Sequence, residues 1–523
     1  MKQVIIFGTA RRGDEVFAIL SQLPQYEAVA FSCNDPAKWG TRKAGLEVIP
    51  PRDMASRYPG AAVVIASASH VEIQRQLCGE RLAPSGGCIH IRRIIGRLSD
   101  EERSALAAGV RRETSFYNLA YKESALPPDD GSDGRYLVIC CGGYPTESSP
   151  RCIFAHERVL QYRKAGLEVE AFGLVEDARF EEYELQGVRV FQGGVSELER
   201  FLRARNYKKL LIHFINPDVM YAIEQAGKAG TPVIVWCHGY EVTPWYRCWF
   251  NYTPEELRRD REVLDRRDEE KKRFLRTVYA REDMEFLFVS NWQMERSRKF
   301  VGSLPRNHRV IHNFIDGDFY AAPERTAEER LRVLSIKNHG ARTYANDLTA
   351  RAILELSRRS WFPELTFELY GDGVLFEENF GELLRRNFPN VRIHRGFLNH
   401  EQVRELYRRN GVFLSPTRMD SHQVTASEAM AAGMCVVTTN AGPMREFVDE
   451  TCGSVFEFDN YLMMAEEIEF LYFHPEEFLT KTKNAARRAR EQCGYESTIR
   501  KELELILNED ANENGKAFRG EEQ

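Results

Sequence analysis

Short apolar runs recur along the chain, each followed by a stretch of helical spacing and then by another apolar run. VIIFG, AVAFS and AAVVIASAS lie before residue 70. YLVIC, VEAFGL, KLLIHFI, PVIVWCHG and EFLFVS fall between residues 136 and 290. LRVLSI, LTFELYG, VRIHRG, VFLSP, CVVTT and SVFEF follow between residues 331 and 458. Strands that alternate with helices need crossover connections and build parallel, doubly wound sheets. The expected fold class is therefore α/β, with several such sheets in series.

The chain has 523 residues, too many for one hydrophobic core. LPPDDGSDG, residues 126–134, holds two prolines, two glycines and three aspartates, and reads as a domain boundary. The expected organisation is an appended Rossmann-like domain over 1–125, the linker 126–134, an α/β domain over 135–315, a second over 316–508, and a polar, disordered tail over 509–523.

Hydrophobic residues make up 43% and charged residues 29%, the balance of an ordinary globular enzyme. The net charge of -6 gives no reason to expect nucleic acid as a partner. No apolar span is long enough to cross a membrane, and the start MKQVIIFGTARRGDE is too short for a signal peptide. A cytoplasmic protein is expected, with a station at the inner face of the membrane left open. The 11 cysteines form no Cys-x-x-Cys pair and read as reduced, mostly buried thiols. The charge-dense stretch from Pro254 to Glu282 balances acids against bases and reads as a solvated helix laced with ion pairs.

The most specific segment is VFLSPTRMDSHQVTASEAMAAGMCVVTTNAGPMRE, from Val412 to Glu446. A buried strand, Val412 to Pro416, leads into a polar loop. A helix with small residues on one face follows, Thr425 to Ala432, and Gly433 stops it. In open α/β sheets, ligands bind outside the carboxyl ends of the strands. Asp420 in the loop and Glu428 early in the helix are eight residues apart. Carboxylates there suit sugar or ribose hydroxyls, which donate strong hydrogen bonds to them. The competing reading is a surface unit whose acids merely offset a helix dipole.

This segment resembles the donor-site signature of retaining GT-B glycosyltransferases, the glycosyl transferases group 1 and glycogen-synthase-like superfamily. That signature reads Ser-Pro-x-x-Glu-Gly-x7-Glu-Ala-Met-Ala-x-Gly-x-Pro-Val-Val. Ser415, Pro416, Glu428, Ala429, Met430, Ala431, Gly433, Val436 and Val437 match it. Asp420, Ser421 and Cys435 stand where the signature has Glu, Gly and Pro. The resemblance implies a GT-B fold of two doubly wound Rossmann-like domains behind the additional N-terminal one. It also implies a nucleotide-sugar donor held by cations and backbone donors. Lys337 and Arg342 follow LRVLSI at the family's five-residue spacing, in reversed order, and would clamp the leaving diphosphate. Gly371 and Gly373 match the family's glycine-rich loop, and Gly396, Phe397 and Leu398 the run that passes the nucleobase. Val424 and Thr425 would add donor contacts at the helix start. His238, at the end of PVIVWCHG, matches a histidine that reaches the transferred sugar. Asn313 matches the family's hinge asparagine, and Gly142 and Gly143 its loop over donor and acceptor.

In the N-terminal section, GTARRG follows a strand as a nucleotide-binding turn would. Gly8, Gly13 and Asp35 are the candidate nucleotide contacts there. Ala10 occupies the place of the second glycine, and no Tyr-x-x-x-Lys pair accompanies it. A scaffold or docking module is the alternative. The expected activity is metal-independent, retaining transfer of a sugar from a nucleotide-sugar to a hydroxyl acceptor in glycan, glycoconjugate or cell-surface polysaccharide synthesis. No cofactor is required by that reading. Glycan, lipid-linked and protein acceptors, peripheral membrane contact and oligomerisation through the N-terminal domain all stay open. The alternatives are a nucleotide-sugar epimerase of the same fold and a non-catalytic nucleotide-sugar-binding scaffold.

Overall fold

A computed structural model describes every residue except 68–72, 75, 78–79, 90, 111–124, 148, 150, 176–179 and 509–523. The expected tail, 509–523, therefore lies outside the described residues, as do residues 111–124 of the expected first domain. The chain separates into two compact units, 1–152 with 168–232, and 153–167 with 233–523.

The first unit opens with a six-stranded sheet where the sequence suggested three strands. Its strands are β1 Lys2–Phe7, β2 Tyr26–Ser32, β3 Arg42–Lys43, β4 Leu46–Ile49, β5 Ala62–Ile65 and β6 Cys88–Ile89, in the order β3-β4-β2-β1-β5-β6. The additional strands are two to four residues long, too short to carry a periodic signal. Side chains alternate between the faces of a strand. Val4 and Ile6 accordingly join the core formed with Val16, Ile19 and Phe31, while Ile5 and Phe7 join Ala30, Val63 and Leu77.

The same unit holds β7 Tyr136–Cys141, β8 Val169–Leu174, β9 Glu181–Leu185, β10 Val188–Gly193 and β11 Lys209–His213, in the order β11-β7-β8-β10-β9. Only β9 runs antiparallel to its neighbour among these pairs. The linker is more firmly held than its composition implies. Arg205 donates to the carbonyls of Pro127 at 2.8 Å and Pro128 at 3.1 Å. Asp130 pairs with both Arg135 and Arg189. Proline removes backbone donors, but its carbonyl remains a full acceptor.

The second unit contains β12 Val233–Cys237, β13 Met284–Phe288 and β14 Asn307–Val310, all parallel. It then builds a wholly parallel six-stranded sheet from β15 Arg332–Ile336, β16 Thr366–Gly371, β17 Val391–Arg395, β18 Val412–Leu414, β19 Cys435–Thr439 and β20 Gly453–Phe456. The strand order β17-β16-β15-β18-β19-β20 reverses direction between β15 and β18. That is the topological switch point, where the crossing helices diverge to opposite faces and leave a crevice at the carboxyl ends. Val333, Val412, Leu414 and Val437 pack into one core, and Leu334, Phe413 and Val436 into the other.

The helix Ile499–Leu507 meets the helix Ile153–Lys164 through a buried charge. Glu502 accepts from Arg158 at 3.1 Å, Tyr162 at 2.6 Å and Trp236 at 2.9 Å. Among the described residues no helix is long and apolar enough to cross a membrane.

Candidate functional site

The switch point places the two strand ends singled out in the sequence side by side. Lys337 is the first residue after β15, and Asp420 lies in the loop after β18. Both are buried. Burial pushes the Lys337 ammonium down to about 8, against the pull of Asp420, which favours its charge. Burial likewise raises the Asp420 carboxyl, opposed by Lys337 and by the N–H groups of Ser421 and His422. Those backbone groups donate to Asp420 Oδ1 at 2.8 and 3.2 Å. Asp420 is thus not a carboxylate on an open rim. Its carboxyl group is held by backbone donors beside the buried Lys337.

The β12 loop reaches the same place. Gly239 has φ +124°, and a Cβ there would lie 2.0 Å from Ser421 Oγ. Only glycine lets this backbone approach the Asp420 loop so closely. Its neighbour His238 is half-buried, and its ring lies tilted against that of Phe154, with centroids 4.6 Å apart. The His238 N–H donates to Glu241 at 2.5 Å. Gly239, Ser421, Asp420 and Lys337 therefore belong to one neighbourhood, with His238 next to Gly239 in the chain.

Arg342 sits further out. Its guanidinium pairs with Glu378 at 3.0 Å, and its carbonyl accepts from Arg418 at 2.9 Å. The sequence reading passed over Arg418, although it stands two residues before Asp420. Its side chain bridges Asp347 at 2.7 Å and Asp459 at 2.6 Å, and so fixes the loop that carries Asp420.

Glu428 occupies a second cluster. It is the fifth residue of the helix Val424–Ala431 and is buried, not set at an exposed helix start. Tyr407 donates to it at 3.3 Å, and Tyr320 lies against the same carboxyl. Burial drives its pKa up to about 7. Glu157, on the helix Ile153–Lys164, is pushed to about 8 by burial and by Glu428. His400 stands 3.1 Å from Glu157. Tyr320, Tyr407, Glu157 and His400 were missed because they come from three distant segments, His400 and Tyr407 sharing the helix His400–Arg409, that only the fold joins. Thr425 presents its carbonyl to Tyr407 at 3.1 Å, and Val424 packs against the adjoining core.

The glycine positions have local structural reasons. A Cβ on Gly371 would lie 1.9 Å from the Lys337 carbonyl, and one on Gly373 would lie 2.3 Å from the carbonyl carbon of His339. These glycines let the loop after β16 lie against the one after β15. Gly396 donates to the Gly371 carbonyl at 3.1 Å, Phe397 is 65% exposed, and Leu398 packs partly into the core. Asn313 is buried and satisfied within the protein. Its side chain accepts from Arg158 at 3.0 Å, and its N–H donates to His422 Nδ1 at 3.1 Å.

In the first unit, Gly142 and Gly143 follow β7 with φ of +108° and +107°, and Arg151 donates to the Gly142 carbonyl at 2.7 Å. Gly8 ends β1, and a Cβ on Gly13 would lie 2.1 Å from the Gly8 carbonyl. Gly13 therefore seats its helix on the strand. Asp35 accepts from Ala37 N at 3.1 Å and caps the short turn Pro36–Lys38. Among the described residues no group of three or more His, Cys, Asp or Glu side chains is placed to hold a metal ion.

Comparison with known proteins bears on the fold. Residues 331–473 match the family model "Glycosyl transferases group 1". Sucrose-phosphate synthase from Thermosynechococcus elongatus superposes with a TM-score of 0.57 at 16% identity, covering 71% of this chain and 98% of that one. Anabaena HepE, solved with UDP-glucose, gives a TM-score of 0.53 at 13% identity, covering 71% and 99%. WaaG, a glycosyltransferase involved in lipopolysaccharide biosynthesis, gives 0.52 at 14%, covering 71% and 100%. The fold is GT-B. No curated protein matches the chain in sequence.

Proposed function

We propose that the protein is a retaining glycosyltransferase, independent of metal, that moves a sugar from a nucleotide-sugar to a hydroxyl acceptor. The observation that carries this reading is the meeting of Lys337 and Asp420 at the switch point of a sheet whose sequence matches a glycosyltransferase model. A nucleotide-sugar as donor is supported by the structural neighbour solved with UDP-glucose.

In this reading the bond between the anomeric carbon and the diphosphate oxygen breaks as the acceptor oxygen bonds to that carbon on the same face. The acceptor proton passes to the departing phosphate oxygen. No side-chain nucleophile is needed, so the chain supplies position and charge. Lys337 stabilises the growing negative charge of the leaving group. Arg342 joins it by exchanging its exposed partner Glu378 for phosphate. Asp420 and His238 orient the transferred sugar, and Glu428 accepts from the ribose hydroxyls.

Scanning fluorimetry against UDP-, GDP-, ADP- and dTDP-sugars tests the donor half directly. One of these should raise the melting temperature, and Lys337→Ala should abolish the rise. A flat response across all four bases would remove the donor assignment.

A further inference from the structure

Beside the Asp420 loop lies a pocket that the reading above does not use. One wall is the turn Trp245–Asn251, and the other is the helix Asn291–Val301. Arg247 comes from the turn, and Arg296 and Lys299 come from the helix. Tyr246, Trp292 and Met419 complete the lining. Among the described residues none of these three cations makes a side-chain hydrogen bond or ion pair. Arginines in this protein usually find one. On the same helix Arg298 takes Glu295, at 2.9 Å.

The pocket is also built rather than incidental. Lys271 donates to the carbonyls of Tyr240 at 3.1 Å and Thr243 at 2.8 Å. Asp268 accepts from Trp245 N at 2.9 Å, and Asp265 accepts from its indole at 2.8 Å. The helix Pro254–Tyr279 thereby fixes the turn. On the other wall Glu446 accepts from the N–H groups of Asn291 at 3.0 Å and Trp292 at 2.6 Å, anchoring the helix start. The guanidinium of Arg296 lies 5.3 Å from the Trp292 ring centroid, and that of Arg247 lies 6.0 Å from Tyr246. Burial and the neighbouring Arg247 both work against the charge on Arg296. Holding like charges together without a partner costs free energy, and an anion bound between them recovers it.

We propose that this pocket binds a phosphate group carried by the acceptor. A phosphate offers several oxygens to three cations at once, which a single carboxylate does not. Met419, in the lining, immediately precedes Asp420, so the pocket opens beside the donor signature. Lys337, the cation assigned to the donor diphosphate, is not part of the lining. The word acceptor rests on the transferase reading; the binding of phosphate does not.

The test uses the full chain and its tryptophan fluorescence at low salt, titrated with inorganic phosphate and, separately, with UDP. Wild type should bind phosphate saturably. Arg296→Gln with Lys299→Gln should weaken phosphate at least tenfold and leave the UDP Kd unchanged. Arg247→Gln, on the opposite wall, should weaken phosphate as well. Glucose 6-phosphate and vesicles of phosphatidylcholine with phosphatidic acid identify the source. Tighter binding of the sugar phosphate points to a soluble phosphoester, and sedimentation with the vesicles that the variants lose points to a lipid phosphate. Either result supports the site. An absence of saturable phosphate binding, or equal binding by wild type and variants, overturns it, as does a UDP Kd that moves in parallel. Loss of UDP binding with phosphate binding intact would instead refute the donor reading.

Discussion

The Tyr407 hydroxyl donates to the Glu428 carboxyl at 3.3 Å across two buried side chains. This contact makes Glu428 part of the core as well as a candidate donor contact. Glu428→Ala should therefore cost stability, because it removes a buried acceptor shared by Tyr407 and Tyr320 and leaves a gap in its place. A loss of about 1–3 kcal/mol is expected from the lost hydrogen bonds. Glu428→Gln should fold better than Glu428→Ala and still weaken donor binding. Thermal melts and donor titrations of both variants check the pair; a Gln variant with wild-type donor affinity would make Glu428 purely structural.

The free enzyme should show a bell-shaped kcat/KM against pH. Glu428, raised to about 7, becomes a strong acceptor only as pH rises through that value. Lys337, lowered to about 8, loses its charge as pH rises further. The profile of kcat/KM reports the free enzyme, so the optimum should fall between the two. Glu428→Gln should remove the acid limb, and whatever activity Lys337→Ala retains should lack the alkaline limb. An alkaline limb unchanged in Lys337→Ala would assign it to another group.

Breaking the Arg158–Glu502 pair should be among the costliest single changes. Both side chains are fully buried, and Glu502 also holds Tyr162 and Trp236. Removing one partner of a buried pair typically costs about 3–5 kcal/mol, whereas replacing both can be nearly neutral. Arg158→Met and Glu502→Leu should each lower the unfolding midpoint, and the double variant should recover part of the loss. Strictly additive losses in denaturant melts would show that the pair is not coupled.

The alternation of strands and helices made the sheets legible, and the residues from Ser415 to Val437 lie inside the segment that matches the glycosyltransferase model. Local periodicity and a compact motif are properties of sequence neighbours. The environment of Glu428 was not legible, because Tyr320, Tyr407 and Glu157 approach it from three separate elements. The helix Pro254–Tyr279 shows the same limit. Its ion pairs, such as Lys272 with Glu269, follow from its composition. That Asp268 and Lys271 instead turn toward the Tyr240–Trp245 backbone depends on what the fold packs against them. The contacts of the linker were illegible for a related reason, since its carbonyls found a partner in Arg205, about 80 residues on.

That linker gives a truncation prediction. A chain beginning at residue 126 keeps the contacts of Pro127, Pro128 and Asp130 with Arg205, Arg135 and Arg189, and should fold and bind donor. One beginning at residue 136 loses them, and should melt earlier or aggregate. Equal melting of the two fragments would show that the linker contacts contribute nothing, and failure of both would tie residues 1–125 to the fold of the rest.

Product stereochemistry tests the central claim most directly. The purified protein is incubated with the nucleotide-sugar that raises its melting temperature and with a panel of hydroxyl acceptors, including phosphorylated sugars. NMR then reads the anomeric configuration of the new bond. The account predicts nucleotide release coupled to a glycoside with the donor's own configuration, and loss of both in Lys337→Ala. An inverted product would contradict the retaining mechanism, and donor binding with no product on any acceptor would contradict the assignment as a transferase.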